Sequence, residues 1–146
     1  MTCYEFVKRF KKKYPLTVAW RLFQNSKVVD MHINPKEEVL YAFAGQRNNS
    51  PFDFFETCVV AITNERILIG QKRVIFGYRL SSVTPDMYND MEIVNNIIWG
   101  SVLIDTIKEE ITISNLSKSS LNEVETHISE YMMKAKQKYA RRTLGN

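Results

Sequence analysis

The two histidines, His32 and His127, are the side chains of this chain best suited to catalysis or metal binding. A histidine works as an acid, a base or a metal ligand near neutral pH, but each task needs a second suitable side chain at a defined spacing. The sequence contains no HExxH, no GxSxG, no glycine-rich phosphate loop and no cysteine–histidine cluster. We therefore expect both histidines to be structural or solvated. The protein should have no catalytic residue, bind no cofactor and hold no metal.

Basic side chains are the other candidates, because Lys and Arg bind carboxylates, phosphates and anionic membranes. The chain has 20 basic and 16 acidic residues and a sequence pI near 9.1, which is mildly basic. The candidate binding residues fall in the first predicted helix, in the loop after the first strand and in a later turn: Lys8, Arg9, Lys11, Lys12, Arg47, Lys72 and Arg73. The last part of the chain is similarly basic, through Lys134, Lys136, Lys138, Arg141 and Arg142. Charge runs of this kind are also typical of an ordinary solvated surface.

Length and composition indicate an ordinary globular chain with one main core. It has 146 residues, of which 45% are hydrophobic and 25% charged. Only two cysteines occur, Cys3 and Cys58, without CxxC spacing. No segment approaches the roughly 18 consecutive apolar residues that cross a bilayer, and the first residues lack the apolar stretch of a secretory signal. We expect a reduced, cytoplasmic protein.

Two helices are predicted at the start of the chain. Phe6, Phe10 and Tyr14 recur at helical spacing until Pro15 ends the pattern. A second amphipathic pattern runs from Val18 to Ile33 and ends at Asn34-Pro35, since the residue before a proline is pushed out of the helical region. Together these helices carry more apolar side chains, Phe23 among them, than one small domain needs. We expect them to pack on the rest of the chain or on a second subunit.

A β-meander is predicted between Thr57 and Gly77. Three apolar runs, Cys58–Ile62, Arg66–Gly70 and Val74–Phe76, are separated by short polar breaks. Asn64 suits the left-handed conformation of a tight turn between the first two runs.

Four further strands complete the predicted sheet. A first strand at Val39–Ala44 precedes the meander, and a strand at Leu80–Tyr88 follows it, with Pro85 at an edge or a bulge. Asn89–Asn96 is polar and predicts a loop. Ile98–Ile107 and Glu110–Asn115 then form a hairpin, which gives about seven strands.

One long helix is predicted at the end of the chain. Ser120 and Glu123 fit a capping box at its start. An apolar stripe follows at alternating spacings of three and four: Leu121, Val124, Ile128, Tyr131 and Ala135. The helix should run to about Ala140 and close the open end of a small bent sheet.

Three short motifs in this order resemble the bacterial PH-like domains. They are Thr63-Asn64-Glu65-Arg66 between two strands, Glu37-Glu38-Val39-Leu40 before the first strand, and Trp99 to Ile104 in the hairpin. The resemblance covers roughly Pro35 to Met133. It implies an α+β, mostly β, PH-like fold: a seven-stranded antiparallel bent sheet, or partly open barrel, capped by a C-terminal helix. The chain then divides into an N-terminal helical extension (1–34), a PH-like domain (35–140) and a flexible tail (141–146).

The resemblance implies a binding platform rather than an enzyme. Eukaryotic PH domains gather Lys and Arg after the first strand to bind phosphoinositides, but the corresponding loop here, Gly45–Asp53, offers only Arg47 and carries Asp53. An aromatic cluster follows in and beside this loop: Phe52, Phe54 and Phe55. Our leading hypothesis is a module for protein–protein contact through the N-terminal helices or a strand edge, with an unknown protein or a second copy as partner. The alternative is an anionic membrane surface bound by the basic helices. A nucleic-acid partner is the weakest of the three.

Overall fold

The computed structural model describes residues 1–47, 56–73 and 75–144, and within these ranges the chain forms three α-helices and seven β-strands. The elements are α1 Cys3–Lys13, α2 Leu22–Asp30, β1 Val39–Gln46, β2 Thr57–Thr63, β3 Ile67–Lys72, β4 Tyr78–Val83, β5 Tyr88–Asn95, β6 Trp99–Thr106, β7 Glu110–Ser117 and α3 Leu121–Leu144. A 3-10 turn, Lys118–Ser120, precedes α3. All strand pairs are antiparallel, in the order β4-β3-β2-β1-β7-β6-β5. This confirms the predicted fold class, a seven-stranded bent sheet with helices at both ends of the chain.

The inner face of the curled sheet packs against α3, as the apolar stripe predicts. Leu121, Val124 and Ile128 are buried in one core with side chains from the inner face of the strands. Met132 is buried with them, while Tyr131 is half-buried at the edge of this core. Although α3 has 24 residues, no helix in the described ranges is long and apolar enough to cross a membrane.

The predicted capping box at the start of α3 is wrong. Ser120 donates its hydroxyl to the carbonyl of Ser117 at 2.7 Å, within the 3-10 turn. The Glu123 carboxylate instead accepts bonds from Lys13 of α1 at 2.6 Å and from the Tyr41 hydroxyl at 2.8 Å. The Glu123 side chain, which the local spacing predicts to cap α3, therefore binds residues from other parts of the chain instead. At its other end α3 continues to Leu144, so the first four residues of the predicted tail, 141–144, are helical.

The helices α1 and α2 cover the outer face of β1, β2 and β3 within the same chain. Small outward-facing side chains on these strands, such as Ala42 and Ala61, let the helices approach closely. At Gly70 a Cβ atom would lie 2.8 Å from Cγ2 of Val29, so only glycine fits beneath α2. The expectation that Phe23 is buried is wrong, because its side chain is 53% exposed. Among the described aromatic rings, it contacts Tyr4 in a T-shaped arrangement.

The second helix is shorter than its sequence pattern, because the segment from Tyr14 to Arg21 has another task. Among the described residues, the register between β1 and β7 contains one pair, Gln46 with Ser114. The amide of Val18 donates to the carbonyl of Asn115 at 2.9 Å, and Thr17 Oγ1 accepts from the amide of Ser117 at 2.9 Å. The segment between α1 and α2 therefore fills the seam between β1 and β7.

The turn between β2 and β3 lies where the sequence predicts it. Ile62 pairs with Ile67, and Asn64 and Glu65 form the tip. The predicted left-handed conformation of Asn64 is wrong, since the only described non-glycine residues with positive φ are Arg21 and Asn115. The turn is stabilised instead by the Thr63 hydroxyl, which accepts hydrogen bonds from the backbone amides of Glu65 at 3.1 Å and Arg66 at 3.0 Å.

Two predictions in the middle of the chain are wrong. Ile75 and Phe76 lie in the turn before β4 rather than in a strand, and Val74 lies outside the described residues. The expected strand Leu80–Tyr88 is divided, because β4 ends at Val83 and Pro85 occupies a turn.

The segment predicted as a loop, Asn89–Asn96, forms most of β5. This edge strand buries only its inner face, where its own Met91 and Ile93 pack against the core, so its composition looks polar. A register shift between Tyr88 and Asp90 also breaks the simple alternation that would have identified it.

Candidate binding groove

A groove of about 810 Å³ lies between α3 and the turn joining β2 to β3. One wall is the C-terminal half of α3. The other wall consists of the residues before β1, the turn itself and the end of β4. The lining side chains include, on α3, Lys134, Ala135, Lys138 and Arg142, and on the other wall Asn34, Lys36, Leu40, Asn64, Glu65, Arg66 and Ser82.

A buried ion pair builds the wall opposite α3. Arg66 binds the Glu37 carboxylate through two bonds, from Nε and from Nη2, each 2.9 Å long. The Thr63 hydroxyl donates to the same carboxylate at 2.6 Å. Burial alone would raise the pKa of Glu37, but the bonds from Arg66, Thr63 and the Asn34 amide outweigh it and hold the pKa below its ordinary value. Two of the motifs that carry the family resemblance thus form one unit, which we call the clamp (Glu37, Thr63 and Arg66).

Asparagine side chains extend the clamp to the rim of the groove. Asn64 accepts from the amide of Glu38 at 2.8 Å and donates to the carbonyl of Lys36 at 3.2 Å. Asn34 donates to the Glu65 carboxylate at 3.1 Å. These bonds fix the backbone of the segment before β1 and leave the Lys36 side chain exposed at the rim.

The remaining cations of the groove are exposed and free of ion pairs within the described part of the chain. Lys134, Lys138 and Arg142 follow one another at spacings of four along α3, so they share one face of the helix. Lys36 faces the same space from the other wall, and Glu65 is the acidic residue among the lining side chains. Because Arg66 is neutralised by Glu37, the groove presents four available positive charges against one negative charge. We call Lys134, Lys138 and Arg142 the basic stripe.

The candidate residues that the sequence pointed to in α1 lie elsewhere. Lys8, Arg9 and Lys12 are exposed, and the Lys8 ammonium lies 5.0 Å from the centre of the Tyr4 ring. Lys11 has a structural task, because it donates to the carbonyls of Pro15 and Thr17 and so holds the segment that fills the seam. Burial lowers the pKa of Lys11.

Arg47, Lys72 and Arg73 also lie apart from the groove. Arg47 donates to the Ser81 hydroxyl at 2.8 Å and pairs with Glu109 at 3.4 Å, with most of its side chain covered. Lys72 and Arg73 are exposed at the turn between β3 and β4. Gly45 and Gln46 of the predicted loop belong to β1. The part of the loop after Arg47, with Asp53, and the aromatic cluster at Phe52, Phe54 and Phe55 lie outside the described residues. None of the seven candidate cations lines the groove.

Both histidines contact neighbouring residues of the fold. His32 Nδ1 lies 2.6 Å from the carbonyl of Val28, and its Nε2 lies 3.0 Å from the Tyr78 hydroxyl. His127 stacks on the Tyr41 ring with 3.8 Å between ring centres. Within the described ranges, no three His, Cys, Asp or Glu side chains come together as a metal site would require.

Sequence reasoning did not predict the groove, because none of the seven candidate cations lines it. The basic stripe belongs to the C-terminal stretch that the charge count singles out, and its spacing of four was the available signal for a shared face. Lys36 gave no such signal, because it stands alone before β1. Glu37 and Arg66 are 29 residues apart, and no periodicity shows that they meet.

The family comparison agrees with this architecture. A family model described as a bacterial PH domain matches residues 33–130. Among solved structures, the chain is similar to a crystal structure of a pleckstrin homology domain from Shewanella amazonensis, with 8% identity over 82% of this chain and 90% of that chain, at a TM-score of 0.45. No curated protein matches the chain.

Proposed function

This chain belongs to the bacterial PH domain family, and we propose that it is a non-catalytic binding module that contacts a partner protein through the groove beside α3. The family match ends at residue 130. It therefore includes the clamp but not the basic stripe, whose residues begin at Lys134. The fold is shared with the family, while one wall of the groove is supplied by this chain beyond the matched part.

The observation that carries the proposal is a groove with available cations on both walls. A cation needed only to complement the α3 dipole would serve anywhere in the last turn. Here three cations lie on one face of the helix, and that face is turned to a concave surface with Lys36 opposite. A concave surface with an excess of charges of one sign concentrates ligands of the opposite charge.

The test is affinity capture from an extract of the source cells with three immobilised proteins. They are the wild type, the groove variant K134Q/K138Q/R142Q, and the matched variant K27Q/K118Q/R141Q. The matched variant loses the same charges from exposed residues that do not line the groove. We expect a set of proteins that the wild type and the matched variant retain and the groove variant loses. Identical captured sets from the two variants would contradict the proposal.

The turn between β3 and β4 supports a second candidate function, which is attachment to an anionic membrane. Ile75 and Phe76 are 80% and 84% exposed at this turn, beside Lys72 and Arg73. Arg21 donates to the carbonyl of Lys72 at 3.1 Å, which adds a third cation at the base of the turn. Exposed apolar side chains flanked by cations are typical of segments that enter the lipid headgroup region.

Liposome co-sedimentation tests this second function. The wild type should bind vesicles of phosphatidylcholine and phosphatidylserine and bind vesicles of pure phosphatidylcholine much less. The variant I75S/F76S should lose about tenfold or more in affinity, since burying one such side chain contributes about 1.5–3 kcal/mol. The groove variant K134Q/K138Q/R142Q serves as the control for a general charge effect. Equal sedimentation of the wild type and I75S/F76S would contradict the assignment.

A further inference from the structure

We infer that the groove accepts an extended acidic segment of its partner, with carboxylates at every second residue facing the basic stripe and an apolar side chain facing Leu40. This inference rests on the proposed function and names the chemistry of the partner. It follows from the spacing of the cations, the open edge of β4 and the position of Leu40.

The spacing of the basic stripe matches an extended chain. Residues four apart on a helix rise by about 6 Å along its axis. In an extended chain, side chains at alternate residues point the same way and are separated by about 6.6 Å. Three carboxylates at alternate positions therefore reach Lys134, Lys138 and Arg142 together. Carboxylates four apart in an extended chain would be about 13 Å apart and would reach only every second cation.

The edge of β4 favours an extended segment over a helix. Among the described strands, β4 is the last on its side of the sheet and pairs only with β3. Its final residues border the groove, where Ser82 lies. An extended segment can pair with such an edge through its own backbone, which a helical segment cannot do.

Leu40 provides an apolar contact on the wall opposite the stripe. The register between β1 and β2 shifts at this residue, since Val39 pairs with Thr63 and Tyr41 pairs with Ile62. The resulting bulge turns Leu40 outward into the groove, where it is 48% exposed among otherwise buried β1 residues. In an extended ligand, the residue between two carboxylates points away from the stripe and toward this wall.

Two labelled peptides of identical composition test the inference by fluorescence anisotropy. TTELETETT has glutamates at alternate positions, and ETTTELTTE has them four apart. We expect the alternating peptide to bind the wild type several-fold more tightly than the other. K134Q/K138Q/R142Q should weaken its binding by about tenfold or more, and K27Q/K118Q/R141Q should leave it within about twofold. Raising the salt concentration should weaken binding to the wild type.

A third variant tests the apolar contact. L40S should weaken binding of TTELETETT several-fold and leave binding of the same peptide with Thr in place of Leu unchanged. The inference is overturned if the alternating peptide does not bind, if the two peptides bind equally, or if the two charge variants weaken binding equally. If the peptides fail while the captured proteins still differ between the two charge variants, the proposed function stands and only the partner chemistry falls.

Discussion

The two walls of the groove carry charge in opposite ways. On one wall the Glu37 side chain is 0% exposed and Arg66 is 19% exposed, and the two neutralise each other. On the other wall the basic stripe is exposed and has no described ion-pair partner. Buried paired charges become costly when one partner is removed, whereas exposed charges contribute little to folding. The comparison separates residues that hold the fold from residues available for a ligand, and Glu37 and Arg66, which belong to two of the motifs of the family resemblance, are in the first group.

The largest effect is expected from breaking the clamp. Arg66→Met leaves the buried Glu37 carboxylate without its guanidinium, which should cost about 3–5 kcal/mol, toward the lower end because Arg66 is partly exposed. The free energy of unfolding in urea measures this loss. Arg9→Met, on the exposed face of α1, should change stability by less than about 0.5 kcal/mol. Similar losses of stability in the two variants would show that the ion pair between Arg66 and Glu37 does not hold the fold.

The next largest effect is expected in the core between α3 and the inner face of the sheet. Ile128→Ala should cost about 2–4 kcal/mol, because Ile128 is fully buried between α3 and the sheet. Chemical denaturation measures it, and a loss below about 0.5 kcal/mol would show that α3 is peripheral to the fold.

This core is also where sequence reasoning succeeded best. The apolar stripe of α3 depends on the spacing of residues within one helix, and a sequence shows that spacing directly. The strand β5 and the clamp depend on what lies across from them in space. In β5, a bulge interrupts the alternation of apolar and polar residues. The charges of Glu37 and Arg66 meet only because β1 and β3 both flank β2. The same limit applies to Glu123, whose local spacing fits a cap but whose partners are Lys13 and Tyr41.

The groove followed the same division. The sequence indicated that the end of the chain is basic, but it was the structure that showed three of these cations on the face turned to the groove. It could not indicate the opposite wall, since that wall is assembled from three separate segments. The N-terminal helices were expected to be docked, but Thr17 and Val18 join β7 through backbone groups whose availability no side-chain pattern shows.

The clamp also predicts a dependence on pH. The pKa of Glu37 is lowered in the folded protein, so its stabilising contribution is present above its ordinary value of 4.5 and is lost as the pH falls below it. In Arg66→Met, burial without a partner raises the pKa of Glu37. Protonation of Glu37 then removes the unpaired buried charge that destabilises the variant. The difference in stability between the wild type and Arg66→Met should therefore narrow between pH 6 and pH 3. A difference that stays constant would show that Glu37 does not respond to Arg66.

A smaller effect is expected at the seam between β1 and β7. Thr17→Val leaves the buried amide of Ser117 without the hydroxyl that accepts from it, which should cost about 1–3 kcal/mol. Thr126→Val on the exposed surface of α3 is the control, with an expected change within about 0.5 kcal/mol. Equal stability of the two variants would mean that the segment between α1 and α2 does not close the seam.

The smallest effect on stability is expected at the basic stripe, and it provides the most direct test of the division between the walls. The measurement pairs the free energy of unfolding with the affinity for TTELETETT, for K134Q/K138Q/R142Q and for Arg66→Met under conditions where both are folded. We predict that the first variant unfolds within about 0.5 kcal/mol of the wild type and loses binding. The second should be strongly destabilised and keep more affinity than the first, although its unpaired Glu37 adds a negative charge to the wall. A groove variant that is destabilised by more than about 1 kcal/mol, or that binds as the wild type does, would contradict the account.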